Sequence, residues 1–396
     1  MDMKKIVGIN TVNYGSTGKL MLGLAEQARN DGFSYWTFCQ DGHAQIRDIP
    51  GHAFIGNWVE KRLSDAVNTV TGCQGALNCF GTKQFLQELD QIQPDLIHLH
   101  NLHSNFINLH QLFSYIKDRN IPVVWTLHDC WAFTGHCPHF VTVSCDKWKT
   151  SCHDCPLYRE YPSALVDRSK QMYTKKKNMF TGVTNMKLVT PSKWMQDFLP
   201  DSFLREYPSQ VIYNGIDLNV FRYRNSTFRQ EHALEDKFII LGVASPWTNQ
   251  KGLDRMERLA GQLDDSCRIV LVGTKHIDSD RIICVPRTSD QRELAGIYSS
   301  ANVLLNPSRV ESFGLVNVEA LACGTPVLSY GAGGNAETFD DSCGRLVTDD
   351  TVLAVIHDLQ HNNMIPKENC MAFTQRFDIR TMYRQYLELY QNMLNY

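Results

Sequence analysis

The chain has 396 residues, of which 43% are hydrophobic and 20% charged, with a formal net charge of −3. That length can bury two separate cores, the composition is ordinary for a globular fold, and the charge excludes bulk electrostatic binding of nucleic acid. No stretch approaches the roughly 18 apolar residues of a membrane span. The N-terminus runs from Lys4-Lys5 straight into Ile6-Val7-Gly8-Ile9, too short for the apolar part of a signal peptide, so a cytosolic location is expected.

Residues 5–10 read as a strand and 19–30 as a helix. A strand over 95–100 follows Pro94, and Phe106, Leu109, Leu112, Phe113 and Ile116 then recur at helical spacing. Pro122 opens a strand over 123–127. The basic segment 167–180 predicts a helix, 187–190 a short strand, and Ser192 the cap of the next helix. The Asn214-Gly215 turn and the polar stretch 222–236 mark a boundary. The alternation then restarts, with strands over 238–243, 268–272, 303–306 and 327–329 and helices over 253–263, 293–301 and 315–322. Met382, Tyr383, Tyr386, Leu389, Tyr390 and Met393 give a final amphipathic helix over 379–394.

Alternating strands and helices imply parallel sheets covered on both faces. The expected fold class is therefore α/β, with two doubly wound, Rossmann-like domains over 1–212 and 213–378 facing across a cleft. Residues 379–396 form a C-terminal helix that packs back on the first domain. Ligands of such sheets bind outside the carboxyl ends of the strands.

The stretch from Asn306 to Val327 carries the most chemical information. It reads strand, loop, helix, turn, strand, with Glu311 in the loop, Gly314 at its end, and Glu319 inside the helix. Gly314 lets backbone approach a ligand closely. The first helical N–H groups, around Ser312, Gly314, Leu315 and Val316, lack internal partners and suit a phosphate. A diphosphate there would leave one glutamate for sugar hydroxyls and the other for ribose hydroxyls, for which carboxylates are strong acceptors. The plainer alternative is that Glu311 caps the helix and Glu319 is solvated.

This pattern resembles the signature of retaining glycosyltransferase family 4, which has the two-domain GT-B fold. The family shows Glu, seven residues, then Glu, with Phe-Gly-Leu between and Ala-Cys-Gly-Thr-Pro-Val after, as in Glu311–Glu319, Phe313-Gly314-Leu315 and Ala322–Val327. The resemblance implies that Glu311 contacts the donor sugar, Glu319 the ribose, and the amides near Gly314 and Leu315 the diphosphate of a nucleotide-sugar, with UDP favoured as the nucleotide. Asn214-Gly215-Ile216-Asp217 resembles the family's hinge. Lys251-Gly252 resembles its phosphate-binding loop. Many members carry an arginine five residues before this lysine; Pro246 stands there instead, leaving a reshaped loop around Trp247, or Arg287, to compensate.

In the first domain, Gly15 and Gly18 open the first helix, where the family places a glycine-rich loop that meets the diphosphate; a tight turn is the alternative. His128 ends a strand and, by the resemblance, contacts the donor sugar. His100 and His103 follow another strand and could meet the acceptor; the alternative for all three is a hydrogen-bonded structural histidine. No carboxylate stands out as a glycosyl-enzyme nucleophile. The resemblance implies same-face reaction, with the departing phosphate taking the acceptor proton and no catalytic cofactor or metal. Asp278-Ser279-Asp280 lies in a polar loop and reads as solvated.

Of the 13 cysteines, five fall between Cys130 and Cys155. The other eight are scattered and read as small packed hydrophobes. Cys137, Cys145, Cys152 and Cys155 could form a thiolate site for structural zinc, worth roughly 10–16 kcal/mol in peptide models; free thiols or a redox pair are the alternatives. The run Thr126-Leu127-His128-Asp129-Cys130-Trp131-Ala132-Phe133-Thr134-Gly135-His136-Cys137 resembles a family 4 subgroup that builds bacterial exopolysaccharide, capsule or O-antigen. That resemblance implies a glycan or lipid-linked saccharide acceptor at the inner membrane face. Arg168, Lys170, Lys175, Lys176 and Lys177 would then be either a solvated helix face or a peripheral contact with anionic lipid. Two other functional readings are a non-catalytic nucleotide-sugar-binding subunit and a GT-B epimerase.

Overall fold

A computed structural model describes residues 3–42, 46 and 48–395. The chain divides into two compact units, Met1–Ile212 with Tyr383–Tyr396, and Tyr213–Met382.

The first unit is built on seven parallel strands among the described residues: β1 Lys5–Ile9, β2 Ser34–Gln40, β3 His52–Ile55, β4 Leu96–Leu99, β5 Val123–Thr126, β6 Met186–Thr190 and β7 Ser209–Val211. Their order is β3-β2-β1-β4-β5-β6-β7, the doubly wound arrangement in which the strand order reverses beside β1. The helices are α1 Gly15–Asn30, α2 Trp58–Thr71, α3 Cys79–Ile92, α4 Leu109–Asp118, α5 Ser169–Phe180 and α6 Lys193–Gln196. Val7, Ile9, Ile97, Leu99, Val123 and Trp125 are buried, as strands covered on both faces require.

The second unit begins with the short helix α7 Phe228–Glu231. Its strands are β8 Phe238–Val243, β9 Cys267–Val272, β10 Ile282–Val285, β11 Val303–Asn306, β12 Val327–Ser329 and β13 Gly344–Leu346. They lie in the order β10-β9-β8-β11-β12-β13, all parallel. Between and after them run α8 Leu253–Ala260, α9 Gln291–Ser300, α10 Leu315–Ala322, α11 Val352–His361 and α12 Lys367–Thr374. The order reverses between β8 and β11, so the loops leaving these two strands define this unit's binding crevice.

The last helix, α13 Ile379–Leu394, belongs to the first unit from Tyr383 onward. Buried Tyr390 and Tyr386 tie it to the sheet. The Tyr390 hydroxyl lies 2.6 Å from His98 Nδ1, and the Tyr386 hydroxyl lies 3.0 Å from Thr126 Oγ1. Gly23 of α1 makes room for this helix: an added Cβ would sit 2.0 Å from the Tyr383 hydroxyl.

The structure corrects several sequence expectations. α1 begins at Gly15, four residues before the expected start. Residues 34–92, which carried no sequence assignment, contain β2, β3, α2 and α3. The apolar residues of α2 face outward, so their periodicity does not mark a core. Cys79 is exposed rather than packed. Lys176 does not share the solvated face of α5. It is fully buried, donates to the carbonyls of Trp131 (2.8 Å) and Thr134 (3.2 Å), and lies 3.4 Å from the centre of the Trp131 ring. Burial pushes its pKa well down. It is a polar pin for the cysteine-rich segment.

Candidate active site

The loops leaving β8 and β11 are fastened together. Arg309 N–H donates to the Gln250 carbonyl at 2.9 Å, and the Arg309 guanidinium grips both oxygens of Asp254 at 2.7 and 2.8 Å. Arg255 donates to the Pro307 carbonyl at 2.9 Å. Gly252 (φ 77°) lies so close that an added Cβ would sit 2.3 Å from the same Pro307 oxygen. Trp247 donates its indole N–H to Val272 O at 2.9 Å and fills the space that Gly242 leaves open beside β8. The segment around Pro246 is thus held by indole packing.

This fastening brings Lys251 and Glu311 into an ion pair, Nζ to Oε1. Ser308 Oγ donates to the same carboxylate oxygen at 3.0 Å. Both charges stay partly accessible, with side-chain exposures of 39% for Lys251 and 20% for Glu311, so a ligand could reach them. Three residues on, Gly314 (φ 95°) leads into α10. It provides no side-chain cap, and no acidic residue occupies the first turn. An uncapped helix start of this kind is suited to an anion. Ser312, Leu315 and Val316 are half-buried around it.

Glu319 is half-buried rather than solvated, and it accepts the Tyr298 hydroxyl at 2.8 Å. Burial, and then this carboxylate, push the Tyr298 phenol well up, so the phenol stays a donor. Arg287 is exposed in the loop after β10, and β10 is separated from β8 by β9.

Sequence reasoning missed the supports of this loop. Asn306 donates to Asn317 Oδ1 at 2.8 Å, and Asn317 donates to Thr338 Oγ1 at 2.9 Å. Asn335 Oδ1 accepts from Asn306 at 3.3 Å and would clash with any Cβ on Gly314. Gly334 N–H donates to the Glu311 carbonyl at 2.8 Å, and Gly333 (φ 74°) lies against that same oxygen. The Gly331-Ala332-Gly333-Gly334-Asn335 run was a legible signal of a tight loop, but nothing in the sequence says which loop it supports.

In the first unit, His100 Nδ1 lies 3.1 Å from His128 Nε2, with the rings stacked. Burial lowers His128 to about 4 and His98 to about 3, and pushes His100 well down, so these rings are neutral. His103 is set apart from the pair. Its Nε2 lies 3.1 Å from Asp129 Oδ2, and its Nδ1 lies 2.8 Å from the Tyr161 hydroxyl. Burial alone would raise Asp129, but His103, His139 and the Trp131 N–H together bring it to about 2. Gly18 lets α1 pack on the Asn13 backbone, where a Cβ would sit 2.5 Å from a carbonyl carbon; Gly15 (φ 68°) is exposed at the helix start.

Cys137, Cys145, Cys152 and Cys155 line one cavity of about 10 Å³, with His136 and His153 also on its wall. The Cys137 and Cys155 thiols hydrogen-bond to each other, and Gly135 N–H donates to Cys152 Sγ at 3.2 Å. The ligand types fit zinc. Among the described residues, however, no three His, Cys, Asp or Glu side chains are preassembled to hold a metal ion.

A family model described as "Glycosyltransferase Family 4" matches residues 18–220, and one described as "Glycosyl transferases group 1" matches residues 224–360. The chain belongs to glycosyltransferase family 4. A relative in Escherichia coli K12, named as the colanic acid biosynthesis glycosyl transferase WcaC, is 26% identical over 319 residues, covering 76% of this chain and 77% of its own. Sucrose-phosphate synthase from Thermosynechococcus elongatus superimposes with a TM-score of 0.74 at 18% identity over 99% of both chains. Anabaena Alr3699/HepE, in complex with UDP and glucose, gives 0.68 at 17% identity, covering 98% of this chain and 100% of its own. The enzyme therefore has the GT-B fold of a glycosyltransferase.

The neutral histidines make a pH prediction. Unfolded, each takes a proton near 6.5; folded, His98 and His128 resist it to about 3 and 4. Between those values the unfolded state binds more protons, so stability is full above about pH 6.5 and falls as pH drops, by about 1.4 kcal/mol per pH unit per group. Urea midpoints should therefore be lower at about pH 5 than at about pH 7.5, and His98→Leu should flatten that difference. An unchanged slope in the variant would reject the assignment.

Proposed function

We propose that the enzyme is a retaining glycosyltransferase that moves a hexosyl group from a nucleotide diphosphate sugar to a glycan or lipid-linked saccharide acceptor in the assembly of a surface polysaccharide. The observation that carries this reading is the Lys251–Glu311 pair, held beside the uncapped start of α10 where the strand order reverses. The Lys251 ammonium and the first amides of α10 would hold the diphosphate and offset the charge that grows on it as it leaves. Glu311 would exchange its lysine partner for sugar hydroxyls, and Glu319 would take the ribose hydroxyls. The bond from sugar C1 to the phosphate oxygen breaks, the bond from C1 to the acceptor oxygen forms on the same face, and the acceptor proton passes to the departing phosphate. The UDP complex of HepE supports uridine as the base, and the WcaC likeness supports a polysaccharide acceptor.

Purified enzyme supplied with UDP-sugars and candidate acceptors should form product with retained anomeric configuration, read by mass spectrometry and NMR. Glu311→Ala and Lys251→Ala should each lower kcat by about 100-fold or more, equivalent to about 2.7 kcal/mol, with the melting temperature little changed. Wild-type turnover in both variants would overturn the assignment. Activity should also persist in a metal chelator; complete loss that magnesium or manganese restores would reject the metal-independent step.

We also propose structural zinc on the four clustered thiols. The support is a cavity the size of one small ion or water, lined by four ligands of the right type. Closing a coordination sphere would require thiol rotations from the present geometry. Metal analysis of reduced protein should find about one equivalent of zinc, reduced in Cys152→Ser. Metal-free protein of full stability would sink the idea.

A further inference from the structure

The sidedness of α2 is inverted. It is firmly a helix: Asn57 caps it by accepting from the N–H groups of Val59 and Glu60, and Gly72 closes it in the left-handed conformation. Yet its buried residues are Ser64 and Asn68. Lys61 and Asp65 pair with each other, and Asp65 also accepts from Asn105. The side chains turned to solvent are Trp58, Val59, Leu63, Val67 and Val70, with Leu63 62% and Val70 59% exposed. A surface helix normally does the reverse.

The apolar face continues beyond the helix. Leu165, 67% exposed, donates its N–H to the Thr69 carbonyl of α2 at 2.7 Å, and the carbonyl of Val166, itself exposed, packs on Gly72. Exposed Phe80 opens α3, and its N–H donates to the Glu60 carboxylate at 3.1 Å. Three chain segments are thus tied together and turn large apolar groups outward at one place. Exposed patches of this kind mark an interaction surface.

The charges select the partner. On the outward face of α2 the charged residue is Arg62; after Val166 come half-buried Asp167, whose carboxylate accepts from the Cys155 and Ser169 N–H groups at 2.8 Å each, and exposed Arg168 and Lys170. Glu60 and Asp65 are occupied within the structure. In the adjoining turn Arg159 and Glu160 offset each other. A second copy docked by the same face would bring two Arg62 side chains together across the symmetry axis. Anionic headgroups would pair with them, while Trp58, Leu63 and Phe80 enter the acyl boundary. No helix among the described residues is long and apolar enough to cross a membrane, so such contact would be peripheral.

We propose that the outward face of α2, with Phe80 and the Leu165-Val166 turn, docks the first unit on an anionic bilayer surface. This face is separate from the loops that hold Glu311 and stands whatever they bind. The test is sedimentation of the full chain with vesicles of phosphatidylcholine, with and without phosphatidylglycerol. Binding is expected to the anionic vesicles and to be weaker to the neutral ones. Leu63→Glu with Val70→Glu should weaken it roughly tenfold or more, while the melting temperature and donor binding stay unchanged, since both positions are exposed. Arg62→Gln should reduce the preference for phosphatidylglycerol. Failure to sediment with either vesicle, or binding indifferent to the double substitution, would overturn the proposal. A dimer abolished by that substitution, without vesicle binding, would assign the face to a second copy instead.

Discussion

Lys251 and Glu311 lie far apart in the chain, on loops that leave neighbouring strands, and each is positioned by the other. Arg309 holds Asp254 and the backbone of the opposite loop, and Gly252 permits the contact with Pro307. Were these loops to part, the carboxylate would lose its cation and α10 would open onto solvent without a companion charge. The asparagine network behind the loop serves the same end. Asn335 sits where any side chain at position 314 would have to go, so glycine and network specify each other. The loops are preorganised, which is the condition that electrostatic stabilisation of the proposed leaving diphosphate would require.

The first unit spends its polar groups differently. His98 and His100 are buried and neutral, half-buried His128 stacks on His100, and Tyr390 of the last helix anchors the His98 end. The C-terminal segment thereby returns to complete the first unit's core. Lys176 is a related case, a buried amine satisfied by two carbonyls and an indole face. It holds the cysteine-rich segment onto α5. A residue that belongs by composition to a basic surface run is a structural pin.

The exposed apolar face of α2 contrasts with the central strands of this unit, which hide their hydrophobic groups. Its caps are sound and its inward side is polar and satisfied, apart from the Asn68 side-chain oxygen. The helix holds its shape without burying its own apolar stripe, which leaves that stripe for a partner.

Much of the fold was legible along the chain. Strand β8, β11, β12, α10 and α13 stand where periodicity and turn residues put them, because continuous apolar runs bounded by glycine and proline have few other outcomes in a parallel sheet. The Glu311–Glu319 spacing, Gly314 and the family to which the chain belongs were likewise carried by local sequence. Helix α2 was not, since it turns its apolar side outward and defeats the rule that hydrophobic spacing marks a core. Nor could spacing reveal that Lys251 pairs with Glu311, that Tyr298 holds Glu319, that Asn335 backs Gly314, or that Lys176 is buried while its neighbours are not. Local sequence fixes what each short segment can become, because backbone sterics and side-chain periodicity act over a few residues. Which charge meets which across distant segments was decided only when the strand order brought β8 beside β11 and the loops closed on each other.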